Sequence, residues 1–331
     1  MANANAITFR RLPWIAALCA CASWNAAAQA ASTHYPNKPL RLIVPFAPGG
    51  SNDIMARIIG QKIGESVAQQ VVIDNRGGAS GIIGTDLAAK AAPDGYTLLM
   101  MSLTLAVNPS LFKKLPYDTN KDLAPVSLVA SAPLILVVHP ALPVKTVKDF
   151  VAHAKANPGK LNFGSGGPGT TPHLAGEMLK SMAGLQMTHV PYKGGGPALA
   201  DLVGGQLQLM LENIPSTLPH VKSGRLRVLA LSGLKRSALV PEVPTLDEAG
   251  LKGYDIVGWN GFFVPAGTAH VIVSKLHAET LKALALPDIK DRLSGMGAEG
   301  VGNTPAEFAA FFKAEIAKWA QVVRSAGLRV E

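Results

Sequence analysis

Cysteine is almost absent from this chain. Its 331 residues include only Cys19 and Cys21, and both fall within the first thirty residues. From residue 31 onward there is no thiol and no intrachain disulfide, which excludes cysteine nucleophiles and thiol redox chemistry there. A chain of this length is long enough to be held together by its hydrophobic core alone.

Aromatic and charged residues are also scarce, at 6% and 16% of the sequence. The basic residues are scattered and are not interleaved with aromatics, so we expect no nucleic-acid partner. The eight histidines are dispersed and no H-E-x-x-H motif occurs, so the sequence predicts no metal site.

Long hydrophobic runs are missing except near the start. Arg10 and Arg11 precede an apolar stretch, residues 12–24, which is too short to span a membrane. Ala28-Gln29-Ala30 forms an A-x-A cleavage site. Residues 1–30 are therefore predicted to be a signal peptide that is cleaved after Ala30, which indicates export.

An alternative reading of the leader is a lipoprotein. Leu18-Cys19-Ala20-Cys21 loosely resembles a lipoprotein box with Cys21 as the lipidated residue, but Cys19 is unusual inside such a box. The leader carries two arginines and no acid, so its removal lowers the formal net charge from +9 to +7. That positive charge would help to attract anions.

The most informative stretch that is present runs from Val44 to Asp53, VPFAPGGSND. The apolar residues 40–44 before it predict a strand, and the isoleucine spacing in residues 54–63 predicts a helix. A Pro-Gly-Gly turn from a strand into a helix leaves backbone N–H groups free at the helix N-terminus, where they favour an anion. The alternative is a plain strand-to-helix turn.

Two further strands are predicted at residues 71–75 and 96–101, with a helix at 82–91 between them. This β-α-β-α-β order is typical of a parallel sheet covered by helices, in which ligands sit beyond the carboxyl ends of the strands. Ser102 and Thr104 would lie at that edge, either as ligand contacts or as caps of the next turn. Residues 107–124 are predicted to be a loop, and strands at 126–130 and 134–138 are predicted to carry the chain into a second domain.

A second glycine-rich turn, residues 164–173 (GSGGPGTTPH), again lies between a predicted strand and a predicted helix. Its Gly164-x-Gly166-x-x-Gly169 fits a dinucleotide fingerprint, but no acid follows about 20 residues on, so no nucleotide cofactor is expected. Ser165 lacks the flanking glycine of G-x-S-x-G, which argues against a serine hydrolase. His173 has two readings, a ligand donor or a packing and capping residue.

Glu212 precedes a turn at Asn213, and either lines a cleft, where it would select a ligand amine or hydroxyl, or is exposed. Tyr192 follows a predicted strand at another glycine-rich turn. A strand is predicted at 254–257, and Trp259 is interpreted as a core residue in a segment that returns to the first domain.

Several motifs in sequence order carry a resemblance to a family. They are residues 39–50 (PLRLIVPFAPGG) with Asp53 and Arg57, residues 91–98 (AAPDGYTL), Asn108-Pro109, residues 190–194 (VPYKG) and residues 265–268 (PAGT). Together they resemble the Bug family, the periplasmic substrate-binding proteins of tripartite tricarboxylate transporters, over essentially the whole chain after the leader.

The resemblance implies an α/β protein with a two-lobed, Venus-flytrap (type II-like) periplasmic binding protein fold, each lobe a mixed sheet flanked by helices. Lobe 1 would comprise residues 31–130 plus 251–331, and lobe 2 residues 131–250. It implies a non-enzymatic, periplasmic protein, expected to be a monomer, that captures a small carboxylate and delivers it to membrane permease subunits.

Carried over by motif, the ligand contacts implied by the family fall on both lobes. In lobe 1 they are Phe46, Ala47, Gly49, Ser51, Ser102 and Thr104. In lobe 2 they are Gly164, Ser165, Gly166, Thr170, His173, Tyr192 and Asn213. Many members have Asp where this chain has Glu212, so a contact from Glu212 stays open.

Two other functions remain open on the sequence. One is an exported hydrolase, for which Ser165 would be the nucleophile. The other is a solute receptor that signals to a membrane sensor instead of feeding a permease. The sparse charge in the cleft motifs favours a mono- or dicarboxylate over citrate as the ligand.

Overall fold

A computed structural model of the chain describes residues 35–325, and its compact body begins at Lys38. The predicted signal peptide and Cys21 therefore lie outside the described residues. The strands are β1 Leu40–Val44, β2 Val71–Asn75, β3 Thr97–Ser102, β4 Leu123–Val138, β5 Leu161–Ser165, β6 Met187–Pro191, β7 Leu209–Asn213, β8 Arg227–Leu231, β9 Val257–Pro265 and β10 Glu299–Gly300.

Ten α-helices among the described residues connect these strands and pack against them. They are α1 Ser51–Val67, α2 Ile82–Ala89, α3 Thr104–Leu111, α4 Val147–Ala156, α5 Thr171–Ala183, α6 Gly195–Val203, α7 Ile214–Lys222, α8 His270–Ala285, α9 Pro287–Ser294 and α10 Pro305–Ser325. The predicted α/β class is confirmed.

The long strand β4 connects two groups of strands. Its residues 123–133 pair with β9, and its residues 134–138 pair with β7 and β8. We call β1, β2, β3, β9, β10 and the first part of β4 the first strand group, and β5–β8 with the last part of β4 the second. Each group mixes parallel and antiparallel pairs: β1 is parallel to β2 and β3, whereas β9 is antiparallel to β3.

The helix α10 packs its aromatic residues around the first strand group. The indole of Trp259 on β9 lies edge-on to Phe308, Phe311 and Phe312, with ring centroids 5.7–6.2 Å apart. Its N–H donates a hydrogen bond to Glu315. Trp259 is 4% exposed, so it is anchored as part of the core, as interpreted from the sequence.

The predicted loop at 107–124 is partly wrong, because α3 occupies residues 104–111. Proline at position 109 suggested a break, since proline lacks the amide that a helix interior needs. Leu105, Ala106, Val107 and Asn108 are nevertheless fully buried. Burial of these side chains outweighs the local proline signal.

The two strands predicted at 126–130 and 134–138 are one continuous strand, β4. Pro133 is tolerated because it lies at the junction where β4 leaves β9 and begins to pair with β7. The amide of the next residue, Leu134, donates to the Ser232 hydroxyl at 2.8 Å. The strand predicted at 254–257 is also wrong: β9 starts only at Val257.

Candidate ligand-binding site

A small cavity of about 40 Å³ lies where the segments after β1, β3, β5, β6 and β7 come together with β9. The first strand group and the elements that follow its strands provide one side, which we call the first wall. It consists of Phe46, Gly50, Ser51, Asn52, Ser102, Thr104, Trp259 and Asn260. The second wall consists of Gly166, Thr170, Thr171, Pro172, Gly195, Glu212 and Asn213.

Five helices have their N-termini at this cavity. Its lining includes the first residues of α1, α3, α5 and α6, namely Ser51, Thr104, Thr171 and Gly195, and the N-cap residue of α7, Asn213. None of the five N-cap residues closes its helix with a side-chain hydrogen bond. Because each N-terminus carries about half a positive charge and free amides, the cavity favours an anion although no Lys or Arg lines it.

The polar side chains of the first wall bind one another. The Ser51 hydroxyl donates to Asn260 Oδ1 at 3.2 Å, and Asn260 Nδ2 donates to Asn52 Oδ1 at 2.8 Å. Asn52 Nδ2 donates to the Ser102 hydroxyl at 3.5 Å, and Ser102 lies 3.4 Å from the Thr104 hydroxyl. This chain of neutral groups, the first-wall network, fixes the side chains without using a charge.

Asp53 is close to the cavity but is turned away from it. Its carboxylate accepts hydrogen bonds from Gly49 N–H, Arg57 and Asn75 at about 3.0 Å. Burial acts to raise the pKa of Asp53, but these hydrogen bonds outweigh it and hold the pKa below its ordinary value. The carboxylate of Asp53 is therefore paired within the Pro-Gly-Gly turn, which it stabilises, and does not repel an anion in the cavity.

Glu212 is the one ionisable residue of the lining, and it is 2% exposed. Its Oε1 accepts hydrogen bonds from the backbone N–H and the side-chain amide of Asn213, both at 2.8 Å. Its Oε2 has no hydrogen-bond partner among residues 35–325. Burial raises the pKa of Glu212 to about 7, although the two bonds from Asn213 act to lower it.

Ser165 and two histidines hold the glycine-rich loop that leads to α5. The fully buried Ser165 hydroxyl accepts from Gly167 N–H at 3.1 Å and lies 2.6 Å from Nε2 of His189. The rings of His189 and His173 pack against each other with their centroids 4.1 Å apart and their planes tilted by 37°, and His173 Nδ1 accepts from Gly169 N–H at 3.0 Å. Burial lowers the pKa of both histidines, that of His189 to about 3, so both are neutral.

Beside the cavity, the loop after β1 and the loop after β6 touch each other through glycines. Ala47 N–H donates to Lys193 O at 3.1 Å across the contact. A Cβ atom at Gly196 would lie 2.2 Å from Pro48 O, and one at Gly194, where φ is +157°, would lie 2.8 Å from Ala47 N. No side chain fits at either position, so glycine is what allows the walls to approach this closely.

Of the thirteen ligand contacts implied by the resemblance, seven line the cavity: Phe46, Ser51, Ser102, Thr104, Gly166, Thr170 and Asn213. The other six do not. Ala47 and Gly49 lie where the walls meet, Gly164 and Ser165 lie on β5, and His173 lies in the first turn of α5. The Tyr192 hydroxyl donates to Asp201 at 2.6 Å. Burial, followed by this hydrogen bond, raises the pKa of Tyr192 to about 12.

Sequence reasoning missed seven residues of the lining and His189 behind it. The seven are Gly50, Asn52, Thr171, Pro172, Gly195, Trp259, which was interpreted as a core residue only, and Asn260. Asn52 sits inside the quoted stretch from Val44 to Asp53, and Gly195 directly follows the quoted motif at residues 190–194, so both were within reach. Asn260 and His189 lie on strands with no local signal of a site. Within the described part of the chain, no group of three or more His, Cys, Asp or Glu side chains is placed to hold a metal ion.

Comparison with known proteins agrees with these features. Residues 55–328 match the tripartite tricarboxylate transporter family receptors. The chain is 40% identical over 307 residues to the protein BugT of Bordetella pertussis, covering 92% of this chain and 94% of BugT. The chain belongs to this receptor family.

Two solved structures that resemble this chain were determined with carboxylates. The Rpa4515 protein of R. palustris, solved with adipate, is 35% identical, superposes with a TM-score of 0.87, and the match covers 89% of this chain and all of that one. MatC (Rpa3494) from Rhodopseudomonas palustris, solved with malate, is 33% identical with a TM-score of 0.84, and the match covers 87% of this chain and all of that one. The receptor fold predicted from the sequence is thus confirmed.

Proposed function

We propose that this receptor captures a small carboxylate between the two walls and presents it to the membrane subunits of a tripartite transporter. The observation that carries the proposal is the meeting of five uncapped helix N-termini at a cavity without Lys or Arg. Hydrogen bonds from amides to an ionised group contribute about 1.5–3 kcal/mol each. A few of them support micromolar binding, about −8 kcal/mol.

We infer that the seven predicted residues in the lining contact the ligand directly, together with Asn52 and Asn260. The remaining six predicted residues are assigned to holding the loops and the contact between the walls. In two relatives the bound ligands, adipate and malate, are dicarboxylates. A cavity lined by no basic side chain among the described residues fits such a ligand better than the more highly charged citrate.

The two strand groups are proposed to move as two lobes, residues 31–130 with 251–331 and residues 131–250. This is supported by the change of partners along β4 near residue 133 and by the glycine contacts across the cavity. Opening would separate Ala47 from Lys193 and admit the ligand.

The protein is proposed to act as a monomer in the periplasm after removal of residues 1–30. No helix between residues 35 and 325 combines the length and hydropathy needed to span a bilayer. The intact mass of the exported protein distinguishes cleavage after Ala30 from lipidation at Cys21.

A thermal-shift assay with adipate, malate and citrate tests the proposed binding. A ligand at a hundred times its dissociation constant stabilises the folded state by about 2.7 kcal/mol, which raises the melting temperature measurably. The protein is first unfolded, dialysed and refolded, so that no ligand carried through purification occupies the cavity. A refolded protein whose melting temperature responds to no carboxylate would contradict the proposal.

A further inference from the structure

The site contains one group that carboxylate capture by helix N-termini does not use. Glu212 lines the cavity, and its Oε2 is buried and has no hydrogen-bond partner among the described residues. A Cβ atom at Gly195 would lie 2.7 Å from Oε2, which places this oxygen directly beside the first residue of α6. A buried carboxylate oxygen without a partner is costly, so a ligand or a proton is expected to satisfy it.

Among residues 35–325, no cation stabilises the charge of Glu212. Its neighbours Asn213 and Ile135, its partner on β4, are neutral, and β4, β5 and β9 carry no ionisable side chain. The titratable groups on the helices packed against β7 are His173, Glu177 and Lys180 on α5, Asp201 on α6, and His220 and Lys222 on α7. None of them is hydrogen-bonded to Glu212: Lys180 pairs with Glu177, and Asp201 accepts from Tyr192.

An anionic ligand makes the ionised form of Glu212 still less favourable. Two carboxylates that face each other in a closed cavity cannot both stay ionised at low cost, and one of them takes up a proton. A protonated Glu212 then has an O–H group to donate, and a ligand carboxylate is the strongest acceptor it can meet there. A monocarboxylate held by the helix N-termini would leave this donor unused.

We propose that Glu212 is a specificity-determining residue that binds as a neutral acid, its Oε2–H donating a hydrogen bond to the second carboxylate of a linear dicarboxylate. The first carboxylate lies at the helix N-termini. The proton on Glu212 comes from solvent and stays with the complex, so ligand binding is coupled to proton uptake. This inference rests on the proposed carboxylate binding and adds the ligand class and its pH dependence.

The sign of the pH dependence follows from linkage. The closed complex holds a proton on Glu212 that the free protein loses as the pH rises through about 7, so affinity falls with rising pH. A ligand ammonium facing Glu212 would stabilise the ionised form and give the opposite slope. The direction of the slope therefore separates a dicarboxylate from an amino acid as the ligand class.

Calorimetric titration of the protein with adipate at pH 6, 7 and 8, in two buffers that differ in ionisation enthalpy, measures both affinity and proton uptake. We expect binding to adipate at least about tenfold weaker at pH 8 than at pH 6, with about half a proton or more taken up per ligand at pH 7. Glu212→Gln, which donates but cannot titrate, should abolish both the slope and the uptake.

Hexanoate, which has the same number of carbons and one carboxylate, tests the donor itself. Glu212→Met removes the donor and is expected to lower the affinity for adipate at pH 6 about tenfold to a hundredfold. The preference for adipate over hexanoate should therefore collapse in Glu212→Met and persist in Glu212→Gln.

Glu279→Gln is the matched control, because Glu279 is also buried but bonds to Ser66 at the far end of α1. Ser66 lies about 22 Å along the helix from Ser51. This variant should keep the pH slope of the wild type. Melting curves confirm that each variant is folded, and the wild-type slope does not depend on any variant.

An adipate affinity that is constant or rises with pH in the wild type overturns the role of Glu212, and so does a slope that survives in Glu212→Gln. A wild-type protein that binds neither adipate nor any other carboxylate at any pH overturns the proposed function as well. The two failures are thus distinguishable.

Discussion

The first wall of the cavity binds its polar side chains to one another, whereas the second wall keeps a carboxylate oxygen without a partner. Ser51, Asn52 and Asn260 form neutral hydrogen bonds that do not change with pH. Glu212 on the second wall is ionisable, buried and paired only through one of its oxygens. Both walls contribute helix N-termini, α1 and α3 on one side and α5, α6 and α7 on the other.

This difference suggests a division of roles. Helix N-termini with neutral donors can hold a carboxylate of almost any small acid, because they recognise only charge and two oxygen atoms. Discrimination between acids needs a group whose pairing depends on the rest of the ligand, since a buried polar atom left unpaired rejects the wrong ligand strongly. Glu212 is such a group, and the first-wall network contains none.

The largest expected effect comes from keeping the walls apart. Gly196→Ala places a Cβ atom 2.2 Å from Pro48 O when the walls are in contact. Because the atom it meets belongs to the backbone, the clash is relieved only if the two loops separate. The closed arrangement is then rarely populated, and the affinity for every carboxylate falls in proportion to its population. We expect a loss of at least about a hundredfold, or 2.7 kcal/mol, by calorimetry. The folding stability should not fall, because alanine suits a helix better than glycine.

Gly204→Ala is the control for this variant, because Gly204 ends the same helix and an added Cβ meets its nearest atom at 3.4 Å. Equal affinities in the two variants would show that the glycine contact does not limit closure.

The second effect distinguishes a shared anchor from a selective one. Asn260→Ala removes the acceptor of Ser51 and the donor to Asn52 at once, at a cost of about 2 kcal/mol for two buried hydrogen bonds. Affinity should fall about tenfold for adipate, malate and hexanoate alike, with the pH slope unchanged. If Asn260→Ala lowered the affinity for adipate alone, or abolished the pH dependence of binding, the first wall and not the second would discriminate between ligands.

Much of the fold was within reach of the sequence because its signals are local. The turn at Gly49-Gly50, the strand β1 and the amphipathic α1 are encoded within about thirty residues, and they were predicted correctly. The predictions failed where burial against residues distant in the sequence determines the local structure. Pro109 suggested a loop, yet its neighbours are buried in a helix, and Pro133 divided a strand that is in fact continuous.

The site divides in the same way. Ser51 and Thr170 belong to glycine-rich turns, so motif and position reveal them, and both line the cavity. Asn260 lines the cavity because β9 pairs with β3, and it bonds to Ser51, which is 209 residues away in the chain. No local pattern encodes such a contact. The burial of Glu212 likewise depends on strands that the sequence alone does not bring together, so the sequence could not decide between a cleft and an exposed position.

The smallest expected effect concerns support of the second wall. Ser165→Ala removes a buried hydroxyl that accepts from Gly167 N–H and faces His189, so both groups lose a partner. The free energy of unfolding should fall by about 1–2 kcal/mol, and affinity by about threefold as the loop before α5 loosens.

Ser127→Ala is the matched control, since Ser127 is equally buried and donates to Asn303 O at 2.8 Å in the first strand group. Ser127→Ala should lower the free energy of unfolding by a similar amount and leave the ligand affinity unchanged. Equal affinities in both variants would mean that Gly166 and Thr170 are held in place without Ser165, and that the second wall is as rigid as the first.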